Sequence, residues 1–233
     1  MTLQVTILAA GMGTRLGRPW PKPLTPLRDG RSIMAQQMDN IRSALDGSAR
    51  VTVVVGFKLE LIMEAFPDAV FVYNEAYDQT NTSKSLLKAL KTSFDGGVLW
   101  MNGDVVFDAA LLTRVLPLVE DDRSFVCVNH AAVGEEEVKY TVDAEGCVAE
   151  LSKTVTEPLG EAVGINFVAA HDKAALVRHL EACDEGDYFE RGMETAIAAQ
   201  EIRFHPVDIS DLYAVEIDFD GDLERANDLL DGL

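Results

Sequence analysis

The stretch from Ile7 to Leu24 sets an apolar strand directly before a glycine turn, and it restricts the fold more than any other part of the chain. Gly11 and Gly13 lack a β-carbon, so their backbone can approach a ligand closely and adopt positive φ where a tight turn requires it. Successive amide N–H groups in such a turn form a concavity that binds anions. Arg15 and Lys22 follow in the same stretch and can neutralise phosphate charge. The pattern predicts an α/β fold with a triphosphate-binding turn after its first strand.

A dinucleotide-binding turn is the second interpretation of this stretch. Its pattern is G-x-G-x-x-G, with an acidic residue about 20 residues later. In this chain Leu16 stands where the third glycine belongs, and Gly17 comes one residue late. The next apolar strand, 51–55, is followed by Gly56-Phe57-Lys58 and not by an acid. Triphosphate binding is therefore favoured over NAD binding, and both are favoured over a turn with only a structural role.

Apolar strand-like runs and helical segments alternate through the first half of the chain. Such alternation indicates a parallel sheet with right-handed crossovers. We expect strands at 3–9, 51–55, 70–73 and 98–101, and helices at 32–45, 58–65, 83–93 and 108–118.

The pattern changes in the second half, where turn signals such as Gly134 and Asp143-Ala-Glu-Gly146 separate short strand-like runs. This spacing indicates antiparallel hairpins. We expect strands at 124–129, 138–143, 147–152, 162–170 and 213–217, and helices at 172–182, at 187–200 and from Asp222, with Asp220 and Asp222 as turn and N-cap residues. The predicted fold is α/β, with a Rossmann-like, mixed, mainly parallel sheet flanked by helices and a smaller antiparallel substrate-side subregion. We expect one domain over 1–233, with a nucleotide-binding half at 1–118, an acceptor-side subregion at 119–200 and a C-terminal strand and helix at 201–233.

Composition limits the partners of the chain. Its 233 residues include 39 acidic and 20 basic side chains, for a formal net charge of −19 at pH 7. Nucleic-acid surfaces need clustered Lys and Arg, so we expect no nucleic-acid partner. The chain lacks an apolar run of the roughly 18 residues that indicate a membrane span, and its start lacks the basic region of a signal peptide. Three scattered cysteines, in no C-x-x-C pair, are typical of reduced thiols. We expect a cytoplasmic monomer or homodimer without membrane association.

Acidic residues follow two of the predicted strands. Asp104 comes just past the strand at 98–101, at the edge where open α/β sheets bind ligands. Glu216 and Asp218 alternate with Ile217, so both project to one face of a strand. Carboxylates from two strand ends can hold one Mg²⁺, which prefers oxygen ligands. Singly, Asp104 also fits a plain turn and the other two fit a solvated strand face, but beside the glycine turn the three favour a Mg²⁺ site.

The glycine stretch resembles the signature of the sugar-phosphate nucleotidyltransferase superfamily, which is roughly G-x-G-[ST]-R-[LM] followed by Pro-Lys. The matching residues are Gly11, Gly13, Thr14, Arg15, Leu16, Pro21 and Lys22. The resemblance implies transfer of a nucleotidyl group from an NTP to a phosphorylated small molecule. It also implies that Asp104, Glu216 and Asp218 bind Mg²⁺. The implied nucleotide-binding residues are Leu8, Ala9, Ala10, Gly11, Met12, Gly13, Thr14, Arg15, Lys22 and Gly103.

A polar loop from Tyr73 to Leu86 leaves a strand and begins a helix, with Asn81 or Thr82 suited to the N-cap. Its Asn, aromatic, Thr-Asn and Ser run is similar to the phosphocholine cytidylyltransferase branch of the superfamily. The resemblance implies CTP as the nucleotide, with cytosine and ribose contacted from this loop through Asn81, Ser83 and Ser85.

The acceptor pocket is assigned by the same resemblance to the hairpin region and the helix that follows it. The implied residues are Lys139, Lys153, Glu161, Tyr188 and Glu194. A choline head group needs an aromatic cage, for which the candidates are Tyr140, Phe167, Tyr188, Phe189 and Tyr213. Aromatic residues make up only 7% of the chain, and most of these candidates also fit a core. Two other kinds of acceptor therefore remain possible. One carries a primary amine, as in aminoethylphosphonate, which could pair with Glu161, Glu190 or Glu194. The other is an anionic acceptor.

The expected reaction is attack of an acceptor phosphate or phosphonate oxygen on the α-phosphorus of CTP, with loss of pyrophosphate. Arg15, Lys22 and Lys153 are the predicted catalytic residues, because they can position and neutralise the reacting anions. A glycosyl-1-phosphate nucleotidyltransferase that uses UTP or GTP is an alternative with the same core. A non-catalytic nucleotide-binding regulator is a third interpretation, which the full set of charged residues disfavours.

Overall fold

The computed structural model of the protein describes residues 2–130, 133–134 and 137–232. The strands are β1 (Gln4–Ala9), β2 (Arg50–Val55), β3 (Val70–Tyr73), β4 (Val98–Asn102), β5 (Val105–Phe107), β6 (Phe125–Asn129), β7 (Lys139–Val142), β8 (Val148–Ser152), β9 (Gly160–Val168), β10 (His205–Asp208) and β11 (Ala214–Glu216). The helices are α1 (Ile33–Leu45), α2 (Leu59–Ala65), α3 (Thr82–Thr92), α4 (Ala110–Glu120), α5 (Lys173–Ala182), α6 (Phe189–Ala198) and α7 (Asp220–Asp231). Short 3-10 turns lie at Thr14–Leu16 and Lys22–Leu24.

The large sheet is mixed and mainly parallel, with strands in the order β10-β6-β9-β4-β1-β2-β3. β1 pairs in parallel with both β2 and β4, whereas β9 runs antiparallel between β4 and β6. The hairpin of β7 and β8 extends from β9. β11 pairs antiparallel with β5 in a separate two-stranded sheet. The predicted Rossmann-like fold with a smaller antiparallel subregion is confirmed.

Both faces of the large sheet are covered by helices, which explains why its central strands are mostly apolar. Side chains alternate between the faces: Ile7 and Val53 pack with α1 and α4, whereas Leu8 and Val54 pack with α3. The residues of this core have little or no solvent exposure. Burying a side chain of this size contributes about 1.5–3 kcal/mol, so the sheet is a firm support for the loops at its edge.

The adjacent position of β1 and β4 brings two distant segments together. Leu8 pairs with Asn102 at the carboxyl ends of these strands, and the amide N–H of Gly103 donates a 2.9 Å hydrogen bond to the Leu8 carbonyl. The glycine turn after β1 and the acid after β4 therefore leave the sheet side by side.

Two short strands are absent from the sequence-based prediction. β5 has only three residues, and its partner β11 lies about a hundred positions away, so no local pattern indicates it. β10 contains Pro206 and lies at an edge of the sheet, paired with β6. Proline inside an apolar run argues against a central strand but is accepted at an edge.

The C-terminal helix begins earlier than expected, and the assignment of Asp222 as its N-cap is wrong. α7 starts at Asp220, with Phe219 as the residue before it. The Asp222 carboxylate instead accepts hydrogen bonds from the amides of Asp218 and Phe219, at 3.1 and 2.9 Å. A carboxylate in the first helical turn that reaches back in this way fixes the path of the chain entering the helix.

Cys127, Cys147 and Cys183 are buried and form no disulfide. Among the residues that the structure describes, no helix combines the length and the apolar character needed to cross a membrane.

Candidate active site

A cavity of about 350 Å³ opens at the carboxyl ends of β1 and β4. Its walls come from the glycine turn, the end of β4, the start of α3, the hairpin region, the start of α6 and the segment around β11. The described residues lining it are Leu8, Ala9, Gly11, Gly13, Thr14, Arg15, Lys22, Pro23, Asn81, Thr82, Asn102, Gly103, Asp104, Glu137, Val138, Lys153, Ala162, Gly164, Tyr188, Phe189, Glu190, Glu216 and Asp218. The cavity thus joins residues from nearly the whole length of the chain.

The conformation of Gly13 sets the shape of the glycine turn. Its φ is +59°, and a β-carbon on it would lie 2.9 Å from Cβ of Lys22. Only glycine combines this left-handed backbone with so close a neighbour. Thr14–Leu16 then forms a 3-10 turn that Gly17 closes by donating its amide to the Thr14 carbonyl at 3.2 Å. The turn presents Thr14 and Arg15 to the cavity.

Lys22 makes the central charge contacts of the cavity. Its Nζ donates hydrogen bonds of 2.8 Å to Asp104 Oδ2 and 2.7 Å to Asp218 Oδ1. Arg15 donates a 2.8 Å bond to the other oxygen of Asp218. The Lys22 side chain is only 9% exposed, so these are charge-assisted bonds shielded from solvent.

The two partners of this contact have opposite pKa shifts. Burial acts to lower the pKa of Lys22, but Asp104 and Asp218 outweigh it and the pKa of the lysine is raised. Burial likewise acts to raise the pKa of Asp218, but Lys22 and Arg15 outweigh it and that pKa is lowered. Both groups are therefore ionised at neutral pH.

Asp104, Glu216 and Asp218 lie together, each with an oxygen atom within 4.8 Å of the others. Antiparallel pairing of Glu216 with Val105, and a 3.0 Å bond from the Ile217 amide to the Asp104 carbonyl, bring the C-terminal acids to the end of β4. Loss of solvation raises the pKa of Glu216 well above its usual range, and the negative charge of Asp104 adds to this effect.

These three acids fit a divalent cation. Oδ1 of Asp104 is buried and has no hydrogen-bond partner among the described residues. A buried oxygen without a partner carries an unmet electrostatic demand, and a cluster of carboxylate oxygens is the donor set that Mg²⁺ prefers.

The wall opposite the glycine turn is formed by the hairpin region and the start of α6. Nζ of Lys153 lies 4.8 Å from the centre of the Tyr188 ring. Phe189 is buried and packs edge-to-face on Trp100, with ring centres 5.7 Å apart. Next to it, Glu190 lines the cavity. Desolvation raises the pKa of Glu190 to about 7, although its own backbone amide and Lys153 act to lower it.

A second cavity, of about 420 Å³, adjoins the first and shares Arg15, Glu137, Glu216 and Asp218 with it. Glu161, Phe219, Asp222 and Arg225 are among its other lining residues. Desolvation raises the pKa of Glu161 to about 7, and the charge of Glu137 contributes to the increase.

The structure brings most of the predicted nucleotide and metal residues into the first cavity. Ser83 and Ser85 are exceptions, because both are buried and neither lines either cavity. The Ser83 amide donates to the Asp187 carbonyl at 3.3 Å, and Ser85 Oγ accepts a 3.1 Å bond from Asn74. Ser83 and Ser85 therefore lie inside the protein, while Asn81 and Thr82 reach the cavity.

Ala10 and Met12 also lie outside the lining of both cavities. Ala10 is buried and its carbonyl accepts a 3.0 Å bond from the Phe57 amide, which ties the turn to the segment after β2. Met12 is 41% exposed.

Three predicted acceptor residues do not line the first cavity. Lys139 Nζ donates a 3.0 Å bond to the Lys153 carbonyl and does not line either cavity. Glu194 pairs with Arg191 at 2.6 Å within α6 and lines neither cavity. Glu161 lines the second cavity and not the first.

The candidates for an aromatic cage do not form one among the described residues. Tyr140, Phe167 and Phe189 are fully buried, and Tyr188 is the candidate that exposes a ring to the cavity.

Glu137 and Thr82 line the cavity but were not among the predicted site residues. Their position near predicted turn and cap residues is the only sequence signal for them.

Known proteins resemble the chain in sequence and in fold. The CMP-5'-(3-aminopropyl)phosphonate synthase of Streptomyces rubellomurinus is 28% identical, over 97% of this chain and 38% of that relative. The chain spans 23% to 65% of the length of other curated relatives that it matches.

Two solved structures share the fold. The inositol-1-phosphate CTP transferase from T. maritima superposes with a TM-score of 0.79 and 16% identity, over 100% of this chain and 98% of that chain. The CTP:phosphocholine cytidylyltransferase from Streptococcus pneumoniae gives a TM-score of 0.75 and 17% identity, over 99% and 100% of the two chains. At these identities the likeness concerns the fold alone.

Residues 5–203 match the family model of the MobA-like NTP transferase domain. The match includes the glycine turn, Asp104 and the acceptor-side wall, and it ends before Glu216 and Asp218, which the fold adds to the same cavity. The resemblance to sugar-phosphate nucleotidyltransferases, drawn from the glycine turn and the acids, is confirmed by these comparisons. The chain belongs to the MobA-like NTP transferase domain family.

Proposed function

We propose that this chain transfers the cytidylyl group of CTP to a small phosphate or phosphonate acceptor and releases pyrophosphate. The observation that carries the proposal is the convergence of two basic side chains, Arg15 and Lys22, with three carboxylates in one cavity at the sheet edge. Pyrophosphate release from a triphosphate requires this combination of cationic groups and a cation-binding cluster. The name of the relative that is 28% identical, a CMP-5'-(3-aminopropyl)phosphonate synthase, supports cytosine as the base.

The reaction is an in-line substitution at the α-phosphorus. An acceptor oxygen forms the new P–O bond, the bond from the α-phosphorus to the bridging oxygen breaks, and pyrophosphate leaves with the electron pair. The attacking oxygen is already an anion at neutral pH, so no general base is needed. The protein must therefore hold two anions in contact and neutralise the charge that moves to pyrophosphate.

The residues of the first cavity divide this work between them. The amides of the glycine turn and the Arg15 guanidinium bind the β- and γ-phosphates, which become the leaving group. Lys22, at the centre of the cavity, binds the α-phosphate. Lys153, on the opposite wall, binds the acceptor anion. Asp104, Glu216 and Asp218 would hold Mg²⁺, which would reduce the repulsion between nucleotide and acceptor.

The base is bound at the start of α3. Oδ1 of Asn81 accepts a 2.8 Å hydrogen bond from the Thr82 amide, and Nδ2 of Asn81 donates a 3.3 Å hydrogen bond to the Gly186 carbonyl. The Asn81 side chain is thus fixed between α3 and the loop before α6. Asn81 and Thr82 both line the cavity. A rigid helix start of this kind offers polar groups to the edge of a base, beside the apolar wall of Leu8 and Pro23.

A screen of pyrophosphate release tests the proposal. CTP, UTP, GTP and ATP are each combined with 3-aminopropylphosphonate, phosphoethanolamine, phosphocholine, inositol 1-phosphate and glucose 1-phosphate. We expect release with CTP and at least one of the non-sugar acceptors. Release only with UTP or GTP and glucose 1-phosphate would support the glycosyl-1-phosphate alternative. Binding of CTP without release from any acceptor would support a regulator.

A further inference from the structure

Glu190 is a carboxylate in the cavity that the proposed reaction does not use. It lies in the first turn of α6, and its Oε2 is enclosed and has no hydrogen-bond partner among the described residues. Leaving a buried carboxylate oxygen without a partner is unfavourable. The residue lines the cavity, and the terminal torsion of glutamate is soft, so the carboxylate can adjust to a ligand bound there. The site is therefore prepared to accept a hydrogen bond from a ligand.

The neighbours of Glu190 belong to the acceptor side of the cavity. The charge of Lys153, the proposed ligand of the acceptor anion, acts to lower the pKa of Glu190. The charge of Glu190 in turn acts to raise the pKa of Glu216. A group that carries an anion at one end, bound by Lys153, can thus bring its other end to Glu190.

The charges of the cavity call for a positive group on the acceptor. Five acids line it against three bases among the described residues. A divalent cation on Asp104, Glu216 and Asp218 would offset that cluster, which leaves Glu137 and Glu190 beside Lys153. Two anionic substrates entering such a cavity are better matched when one of them carries a cation.

The aromatic content of the wall decides between kinds of cation. A quaternary ammonium has no N–H group and is held by the faces of several aromatic rings. Here Phe189 is buried against Trp100, and Tyr188 exposes its ring. A primary ammonium carries three N–H donors, and an enclosed carboxylate oxygen can accept a hydrogen bond from one of them.

Resting on the proposed function, we propose that Glu190 binds a primary ammonium group of the acceptor. It makes the protein select a short ω-aminoalkyl phosphonate or phosphate over both the amine-free and the trimethylated analogues. Glu190 is thus a specificity-determining residue that contacts the end of the acceptor remote from the reacting oxygen.

The test compares 3-aminopropylphosphonate, propylphosphonate and 3-(trimethylammonio)propylphosphonate as acceptors at saturating CTP. For the unmodified protein we expect kcat/KM about 10- to 100-fold higher with the primary amine than with either analogue, as for one hydrogen-bonded charge pair. In Glu190→Gln this preference should fall to within about threefold, because the carboxamide carries no charge to pair with the ammonium group. Glu60→Gln, an exposed change in α2, is the matched control and should retain the preference.

Several results would overturn the inference. Equal kcat/KM values for the three acceptors with the unmodified protein would overturn it before any variant is made. An equal loss with aminated and amine-free acceptors in Glu190→Gln, or a raised KM for CTP, would assign Glu190 to folding or to the nucleotide. If no acceptor releases pyrophosphate, the proposed function fails, but calorimetric binding of 3-aminopropylphosphonate against propylphosphonate still tests Glu190. Equal affinities there would contradict its role.

Discussion

Lys22 donates a 2.7 Å hydrogen bond to Asp218, although 196 positions separate them in the chain. The same ammonium lies 2.8 Å from Asp104. A basic residue of the glycine stretch thus forms ion pairs with two of the three acids of the cation cluster. Phosphate oxygens and these acids compete for one lysine, so the binding of nucleotide and of cation should be linked through Lys22.

Removing the Lys22 charge should strengthen cation binding in the absence of nucleotide. In Lys22→Met the acids lose a neighbouring positive charge that repels a divalent cation, and we expect affinity for Mn²⁺ to rise about tenfold. Pyrophosphate release should fall about 100- to 1,000-fold, because the α-phosphate loses its cationic ligand. Electron paramagnetic resonance of free Mn²⁺ measures the first effect, and a coupled pyrophosphate assay the second.

The control for this change is Lys91→Met, which removes an exposed lysine near the C-terminal end of α3 that pairs with Glu181 of α5. It should leave both measurements unchanged. Unaltered or weaker Mn²⁺ binding in Lys22→Met would contradict the linkage.

Asp104→Asn should nearly abolish turnover while the fold is retained. The substitution keeps the size of the side chain but removes one of the three charges of the cation cluster. We expect pyrophosphate release to fall about 100- to 1,000-fold, with a circular dichroism spectrum like that of the unmodified protein. Asp95→Asn, in the exposed loop before β4, provides the comparison. Turnover within threefold of normal in Asp104→Asn would exclude this carboxylate from the reaction.

Gly13→Ala should lower stability and activity together, whereas Gly17→Ala should affect mainly stability. Both glycines have φ near +60°, but a β-carbon on Gly13 meets Lys22 at 2.9 Å and one on Gly17 meets nothing within 4 Å. Each change introduces about 1–2 kcal/mol of backbone strain. Only Gly13→Ala should also displace Lys22, so we expect its turnover to fall about 10- to 100-fold. Thermal unfolding and pyrophosphate release separate the two effects, and equal turnover in the two variants would contradict the argument.

The glycine turn and Asp104 could be predicted from the sequence because their signals are local. The strand before Gly11 and the acid after β4 are each visible in a few residues, and parallel strands end at one edge. The pairing of β11 with β5 is not local, so the contact of Lys22 with Asp218 could not be deduced from the pattern. It depends on a three-residue strand that only the folded chain reveals.

The positions of Ser83 and Glu194 outside the cavities have signals that the sequence does contain. Ser83 stands three and seven positions before Leu86 and Leu90, so helical spacing assigns it to the buried face of α3. Glu194 stands three positions after Arg191, a spacing typical of exposed ion pairs on helices. Helical periodicity therefore indicates that these two residues face away from the cavity, although the family resemblance assigns them to the site.

Stability should fall with rising pH through the titration of Glu161, which lines the second cavity. Desolvation, aided by Glu137, raises its pKa in the folded protein to about 7 from a reference value of 4.5. The folded state therefore binds more protons than the unfolded state between these two values, and the free energy of unfolding decreases as pH rises through that window. Glu161→Gln stays neutral, so its melting temperature should change less between pH 5 and pH 8 than that of the unmodified protein. Differential scanning calorimetry at the two pH values measures this difference. Glu224→Gln, on α7, is the matched control, and an identical pH dependence in all three proteins would show that Glu161 is ionised throughout.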